Sequence, residues 1–399
     1  MHSFLLYWLL FAAIAAGFFL GRFSRQSPVL TLHKTTQSID PDYIRGLNHL
    51  LNEDADAAVD TFTELLPVNA KTLETHLALG ALLRRRGEVG RAIRVHQHLV
   101  DHRELSRLER QRAQLELGLD YLKAGVLDRA EALFEGLHNC PDEKVVVQSL
   151  GYLAEIYRDE KEWLKAATVI DRMLDSRAVV NQARWRAMQS HFYCEQSQLA
   201  LNGGDTSSAR KYLARASIAD GHCVRVSLLL ANLELSQKHY RSAIRYLKRV
   251  PEQDPDYIPE ILPGLLESYQ GLDAVAELID YLKNLQDTYP SSSVLISLAE
   301  QVKQHESESA AVALLNQKIH TRPSLRVVGK FLDFHWSKRT RDESDKEQTL
   351  VRSLFELLLL HKSYYRCESC GFSGNQLHWQ CPSCKSWGTI KAVKGLEGE

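Results

Sequence analysis

The sequence predicts an all-α chain: a superhelical solenoid of helix–turn–helix repeats, with an N-terminal transmembrane helix and a small C-terminal metal knuckle. Three observations predict it. Between Ile39 and Arg322 a small residue is followed twelve positions later by alanine, eight times over. Phe4–Gly21 is a run of eighteen residues without a charge. Near the other end, four cysteines read C-x2-C, a ten-residue spacer, then C-x2-C. The expected segments are an anchor over 1–22, a linker over 23–38, repeats over 39–322, further helices over 323–361 and a metal-binding domain over 362–399.

The anchor comes first. FLLYWLLFAAIAAGFFLG spans roughly 27 Å as a helix, enough for a hydrocarbon core. No basic residue precedes it, and the run continues past the small pair Ala13/Ala15, which argues against a cleaved signal peptide. Arg22, Arg25 and Lys34 follow the run, so the positive-inside rule puts the remainder on the cytoplasmic side. Ala13, Gly17 and Gly21 recur every fourth residue, a face suited to packing on another transmembrane helix. Residues 23–38 are polar, contain Pro28 and read as a linker.

The repeat pairs are Gly46/Ala58, Gly80/Ala92, Gly118/Ala130, Ala154/Ala166, Ser197/Ala209, Ala231/Ala243, Gly264/Ala276 and Ala299/Ala311. Successive alanines lie 34, 38, 36, 43, 34, 33 and 35 residues apart. Four residues past the alanine there is usually a large apolar residue: Phe62, Phe134, Ile170, Leu213, Leu247, Leu315. Small residues on two helices let their backbones approach, and the larger one fills the space between one hairpin and the next. A lone hairpin cannot bury its apolar face, so the units stack. This pattern resembles the tetratricopeptide repeat. His96 and Asp280 depart from it at the large apolar position, and the 43-residue interval predicts a longer turn around Asn202–Ser208.

That resemblance implies a groove lined by the first helices, through Arg84, Arg85, Arg112, Lys123, Arg158, His191, Gln198, Arg225 and Asn232. Such a row suits the backbone or carboxylates of an extended acidic segment. Nine arginines against four acidic residues between Arg84 and Arg112 suit an acidic protein surface or anionic lipid. The formal net charge is only −1, so no global basic field points to nucleic acid. Eleven prolines and 21 glycines argue against extensive disorder. Cys140, Cys194 and Cys223 read as small core residues. His96, His98 and His102 look like a cluster, but residues two apart, as His96 and His98 are, lie on different sides of a helix and do not make a convincing metal site. No phosphate loop, HExxH or GxSxG motif is present, and the chain reads as a non-enzyme.

Leu325–Ser337 and Gln348–His361 predict two more helices, the second apolar enough to pack on the last repeat or on the cysteine-rich end of the chain. Beyond them, Cys367, Cys370, Cys381 and Cys384 form two knuckles. Two residues between cysteines let one tight turn present both sulfurs to one ion, with Gly371 free to take a left-handed conformation and Pro382 stiffening the second turn. Cytoplasmic placement argues against disulfides, and the doubled motif outside a βαβ unit argues against a thioredoxin-like pair. The expectation is one tetrathiolate ion, iron or zinc. CxxCG and CPxC with flanking aromatics resemble rubredoxin, in which the ion is iron.

RGEVGRAIRVHQ (Arg86–Gln97), HFYCE (His191–Glu195), YRCESCGF and CPSCKSWGTIK together resemble the lipopolysaccharide assembly protein B family of Gram-negative bacteria. The resemblance implies a single-pass, non-enzymatic adaptor on the bacterial inner membrane, its bulk cytoplasmic. It implies that the chain promotes degradation of the lipid A deacetylase LpxC by the membrane protease FtsH, in association with an inner-membrane regulator of lipopolysaccharide supply. It also carries over the four cysteines as metal ligands. A general scaffold for lipopolysaccharide assembly complexes, a rubredoxin-type electron carrier and a homo-oligomer stay open.

Overall fold

The computed structural model describes residues 72–319, 323–336, 362–396 and 398–399, with isolated positions between 45 and 69 and between 350 and 358. The Phe4–Gly21 anchor with its Ala13/Gly17/Gly21 face, the linker and most of the first repeat lie outside the described residues. Among those described, no helix is long and apolar enough to cross a membrane. The chain divides into two compact units, Met1–Arg110 and Gln111–Glu399.

The first unit holds α1 (Leu73–Arg85) and α2 (Val89–Asp101). α3 (Arg107–Ala124) carries the boundary in its first turn. In the second unit come α4 (Leu127–Gly136), α5 (Glu143–Asp159), α6 (Trp163–Leu174), α7 (Gln182–Asn202) and α8 (Thr206–Ala219). α9 (Val224–Ser236) and α10 (Tyr240–Leu247) lead through a short turn, Val250–Tyr257, to α11 (Ile258–Gly271) and α12 (Val275–Thr288). α13 (Ser292–His305), α14 (Glu308–Ile319) and α15 (Leu325–Trp336) complete the helices. Within each unit the helices bury their apolar side chains against sequence neighbours.

Every hairpin from α1 to α12 turns on one left-handed residue: Gly87, Gly125, Lys161, Gly204, Lys238 and Asp273, with φ between 53° and 85°. The next residue's N–H then reaches back to a carbonyl of the preceding helix, as Glu88 does to Leu83 and Glu162 to Tyr157. This satisfies helix-end carbonyls that would otherwise lack partners. Five residues past the turn residue sit Ala92, Ala130, Ala166, Ala209 and Ala243, each 0 % exposed.

Opposite Ala92 and Ala130 the space over the paired glycine is filled by a ring. A Cβ added at Gly80 would lie 2.4 Å from the His96 imidazole, and one at Gly118 would lie 2.5 Å from the Phe134 ring. His96 therefore keeps the role of the large residue, flat against bare backbone, with Nε2 3.4 Å from the Leu77 carbonyl oxygen. Both rings pack inside their own hairpin. Leu247 does what the sequence suggested for all of them and reaches the next repeat, 3.0 Å from a Cβ built on Gly264.

Two details of the repeat register are corrected. Ala276 and Asp280 are exposed, whereas Leu278 (0 %) and Leu282 (1 %) occupy the core positions two residues on. Asp273 lies five residues before Leu278, as its counterparts lie before the alanines. Leucine has replaced the alanine there, so the Gly264/Ala276 pair is not the packed one. The 43-residue interval is not absorbed by the turn either, which is only Gly203–Asp205. It extends α7 to 21 residues, started by Asn181 at φ 57°, whose side chain accepts the Arg184 N–H. At the described positions of the 348–361 segment, Leu350, Leu354, Leu357 and Leu358 are exposed rather than packed on a repeat. Cys140, Cys194 and Cys223 are buried, as expected.

The Gly118 contact makes a prediction. Gly118→Val forces branched carbons into the Phe134 ring and lowers stability by about 1–3 kcal/mol in chemical denaturation. Gly90→Ala, with no atom within 4 Å of the added carbon, leaves stability unchanged or slightly higher.

Candidate metal centre

The C-terminal module is a three-stranded antiparallel sheet in the order β2-β1-β3, with β1 Tyr365–Cys367, β2 Ser373–Gly374 and β3 Ile390–Ala392. A bridge between Gln380 and Trp387 closes the second knuckle. In the first turn the Gly371 N–H donates to the Cys367 carbonyl at 2.9 Å, and in the second Lys385 donates to Cys381 at 3.0 Å. Both turns need a left-handed residue after the second cysteine. Gly371 (φ 78°) adopts it freely, and Lys385 (φ 60°) does so against its Cβ, a cost of about 1–2 kcal/mol.

The four sulfurs of Cys367, Cys370, Cys381 and Cys384 lie within 4.8 Å of one another. Cys367 to Cys384 is 3.7 Å and Cys370 to Cys381 is 3.6 Å. A tetrahedral ion with metal–sulfur bonds of about 2.3 Å requires edges of about 3.8 Å, so the donor set fits a tetrathiolate ion. Iron and zinc both accept this cage. Burial alone would raise the Cys367 thiol. The Thr389 hydroxyl, 3.3 Å away, and the amides of Cys370 and Ser369 outweigh it and bring the thiol down to about 6. Ser386 lowers Cys384 through side-chain and backbone hydrogen bonds. These are donors aimed at thiolate, the form a metal takes.

The module lies along one row of the solenoid. Trp387 stacks on the His191 imidazole (centroids 5.0 Å) and meets Phe192 (6.0 Å) and Trp163 (6.2 Å) edge-on. Trp379 stacks on Tyr257 at 5.3 Å, with the Arg225 guanidinium 5.8 Å from its ring. The Tyr257 hydroxyl lies 3.1 Å and 3.2 Å from the carbonyl oxygens of Gly388 and Ile390. Tyr365 donates to Glu260 at 2.5 Å, and Ser293 and Arg326 hold Glu399. Lys391 pairs with Asp254 (3.0 Å) and Asp256 (3.2 Å). Burial alone would lower this ammonium, and the two carboxylates more than reverse that. Burial, then the Arg225 charge, lower His191 to about 3, so a neutral imidazole faces Trp387 at neutral pH.

His191, Arg225, Glu260, Ser293 and Arg326 are 34, 35, 33 and 33 residues apart, one per first helix. The first four each stand eighteen residues before the core position of their repeat: Ala209, Ala243, Leu278 and Ala311. Of the nine predicted groove residues, this row brings His191 and Arg225 together, buried under the module. Arg84 is half-buried and Arg85 exposed at the end of α1. On α3 and α5, Arg112 and Arg158 are half-buried and Lys123 exposed, with Arg158 2.9 Å from Asp159. Gln198 is half-buried on α7, 3.3 Å from Asn202, and Asn232 is exposed on α9. Glu260, Ser293 and Arg326 escaped the sequence reading, although extending the spacing of His191 and Arg225 finds them.

Two variants separate the cage from the seam. Cys381→Ser drops metal content below one ion per chain in elemental analysis. Trp387→Ala keeps one ion but speeds its release to a competing chelator at least tenfold, because the knuckle loses its support on α7. Wild-type release from Trp387→Ala refutes that coupling.

Residues 365–392 match the family described as rubredoxin metal binding domain, and residues 200–263 match the tetratricopeptide repeat. Lipopolysaccharide assembly protein B of Escherichia coli is 33% identical over 394 residues, covering 99% of this chain and 99% of that protein. Its namesake in Haemophilus influenzae is 31% identical over 401 residues, covering 98% and 99%. The likeness thus spans repeats and knuckles alike, and the chain belongs to the lipopolysaccharide assembly protein B family.

Proposed function

We propose that the protein is a non-enzymatic scaffold in lipopolysaccharide synthesis, anchored in the inner membrane by Phe4–Gly21 with its bulk on the cytoplasmic side. In this reading it brings the deacetylase LpxC to the membrane protease FtsH and answers to an inner-membrane regulator of lipopolysaccharide supply. The observation that carries it is the likeness to lipopolysaccharide assembly protein B over 99% of the chain. Two features of the site support it. All four coordination positions of the candidate ion are filled by protein sulfur, which leaves no open position for a substrate. The module is also built into the solenoid, as a scaffold needs and a mobile electron carrier does not. Restricting scaffold and protease to one membrane plane raises the effective concentration of each for the other.

Crosslinked pull-down from membranes, with intact protein and with Cys381→Ser/Cys384→Ser, tests the reading. It expects FtsH and LpxC with the intact chain and less of both with the variant. Recovery of neither, with other lipopolysaccharide assembly proteins in their place, favours the general scaffold. Deleting residues 1–22 is expected to raise LpxC levels, and unchanged LpxC turnover removes the anchor from the mechanism.

A further inference from the structure

The Glu399 carboxylate sits in a receptor that no motif marks. Ser291 Oγ donates to Oε2 at 2.6 Å, the Ser293 N–H donates to the same oxygen at 3.0 Å, and Arg326 Nη1 donates to Oε1 at 2.6 Å. Ser293 Oγ donates to Oε1 as well. Ser291 is the N-cap of α13, so the helix dipole adds to the guanidinium charge. The Tyr364 ring, 4.4 Å from the Arg326 guanidinium carbon, steadies the arginine. Four donors, one of them carrying a full positive charge, converge on one carboxylate and make a site for that group rather than a surface contact.

Beside it opens a cleft of about 890 Å³. Pro290, Leu295 and Val327 give it apolar walls, and the tail that carries Glu399 forms one side through Leu396. Leu396 itself is 57 % exposed. The tail is held by main-chain bonds, such as Leu325 N–H to the Leu396 oxygen at 2.8 Å, by the Ser324 hydroxyl donating to the Gly398 oxygen, by the Lys394–Asp256 ion pair at 2.6 Å and by the Glu399 side chain. A cleft of this volume takes a ligand of several residues.

We propose that Ser291, Ser293, Arg326 and this cleft form a docking site for an acidic peptide of a partner protein, which Glu399 occupies in cis. The partner segment presents a carboxylate to Arg326 and an apolar side chain to the cleft. A tethered ligand acts at an effective concentration on the order of millimolar, so the cis contact masks the site from weak competitors. The site goes beyond the protease-scaffold reading and stands whether or not that reading holds.

The test uses the purified full chain in detergent and an amidated fluorescent peptide of sequence AVKGLEGE, the chain's own residues 392–399. Fluorescence anisotropy is expected to show Glu399→Ala binding it at least tenfold more tightly than wild type. Adding Arg326→Gln is expected to remove that gain, as is a peptide with its last glutamate changed to glutamine. Metal content of one ion per chain and unchanged helicity certify each variant. Equal binding by wild type and Glu399→Ala, or binding indifferent to Arg326, overturns the proposal. A second measurement needs no variant. Saturating peptide is expected to speed amide exchange of residues 393–399 in wild type, and unchanged exchange also overturns it.

Discussion

The C-terminal module depends on four sulfurs being drawn to one point, because it has almost no core of its own. Cys367, Cys381 and Ile390 are its buried cluster, with Tyr365, Phe372 and Leu377 partly covering them. Some 35 residues cannot offset the chain entropy of folding with so little apolar burial. A structural ion contributes roughly 10–16 kcal/mol in comparable small domains and stands in for the missing core. The knuckle turns then decide where two indoles go. Trp379 precedes Cys381 by two residues, Trp387 comes three after Cys384, and the Gln380–Trp387 bridge locks the strands between them.

The solenoid receives the two indoles that the ion positions. Its contribution is regularity: one residue per first helix, repeated every 33 to 35 positions, gives a row of five contacts. The row changes chemistry along its length, from aromatic stacking at His191 to carboxylate binding at Arg326. Stacked and edge-on rings add about 0.5–1.5 kcal/mol each beyond their burial. The half-buried pairs of Lys391 with Asp254 and Asp256 are less screened than surface ion pairs, which contribute about 0–1 kcal/mol. Close approach matters too. Gly388 adopts φ +63°, and a Cβ there would stand 3.4 Å from His191 Nε2.

The repeats were legible because packing writes a period into the sequence: Ala92, Ala130 and Ala166 can be small only where helices touch. The same logic misplaced the register of the seventh repeat, in which Leu278 replaces the alanine and Gly264/Ala276 imitates the spacing by chance. The long α7 was misplaced for a related reason. Spacing reports how many residues lie between two contacts, and not whether they extend a turn or a helix. The four cysteines were legible in full, since C-x2-C fixes geometry within one turn. The seam was not. Its residues are as unlike as histidine, arginine, glutamate and serine, and nothing local marks them, because each is matched to a partner up to about two hundred residues away. His96 shows the opposite case, a polar residue whose ring shape mattered more than its polarity.

The spacing of the row does not stop at His191. The same eighteen-residue offset from Ala166 and Ala130 gives Gln148, exposed, and Arg112, half-buried. These earlier rungs carry the same repeat spacing. The chain has covered the part of this row from His191 to Arg326 with its own C-terminal module. Repeat residues and knuckle residues meet there in one seam. Loss of the ion therefore disturbs both at once, even though no repeat residue binds it.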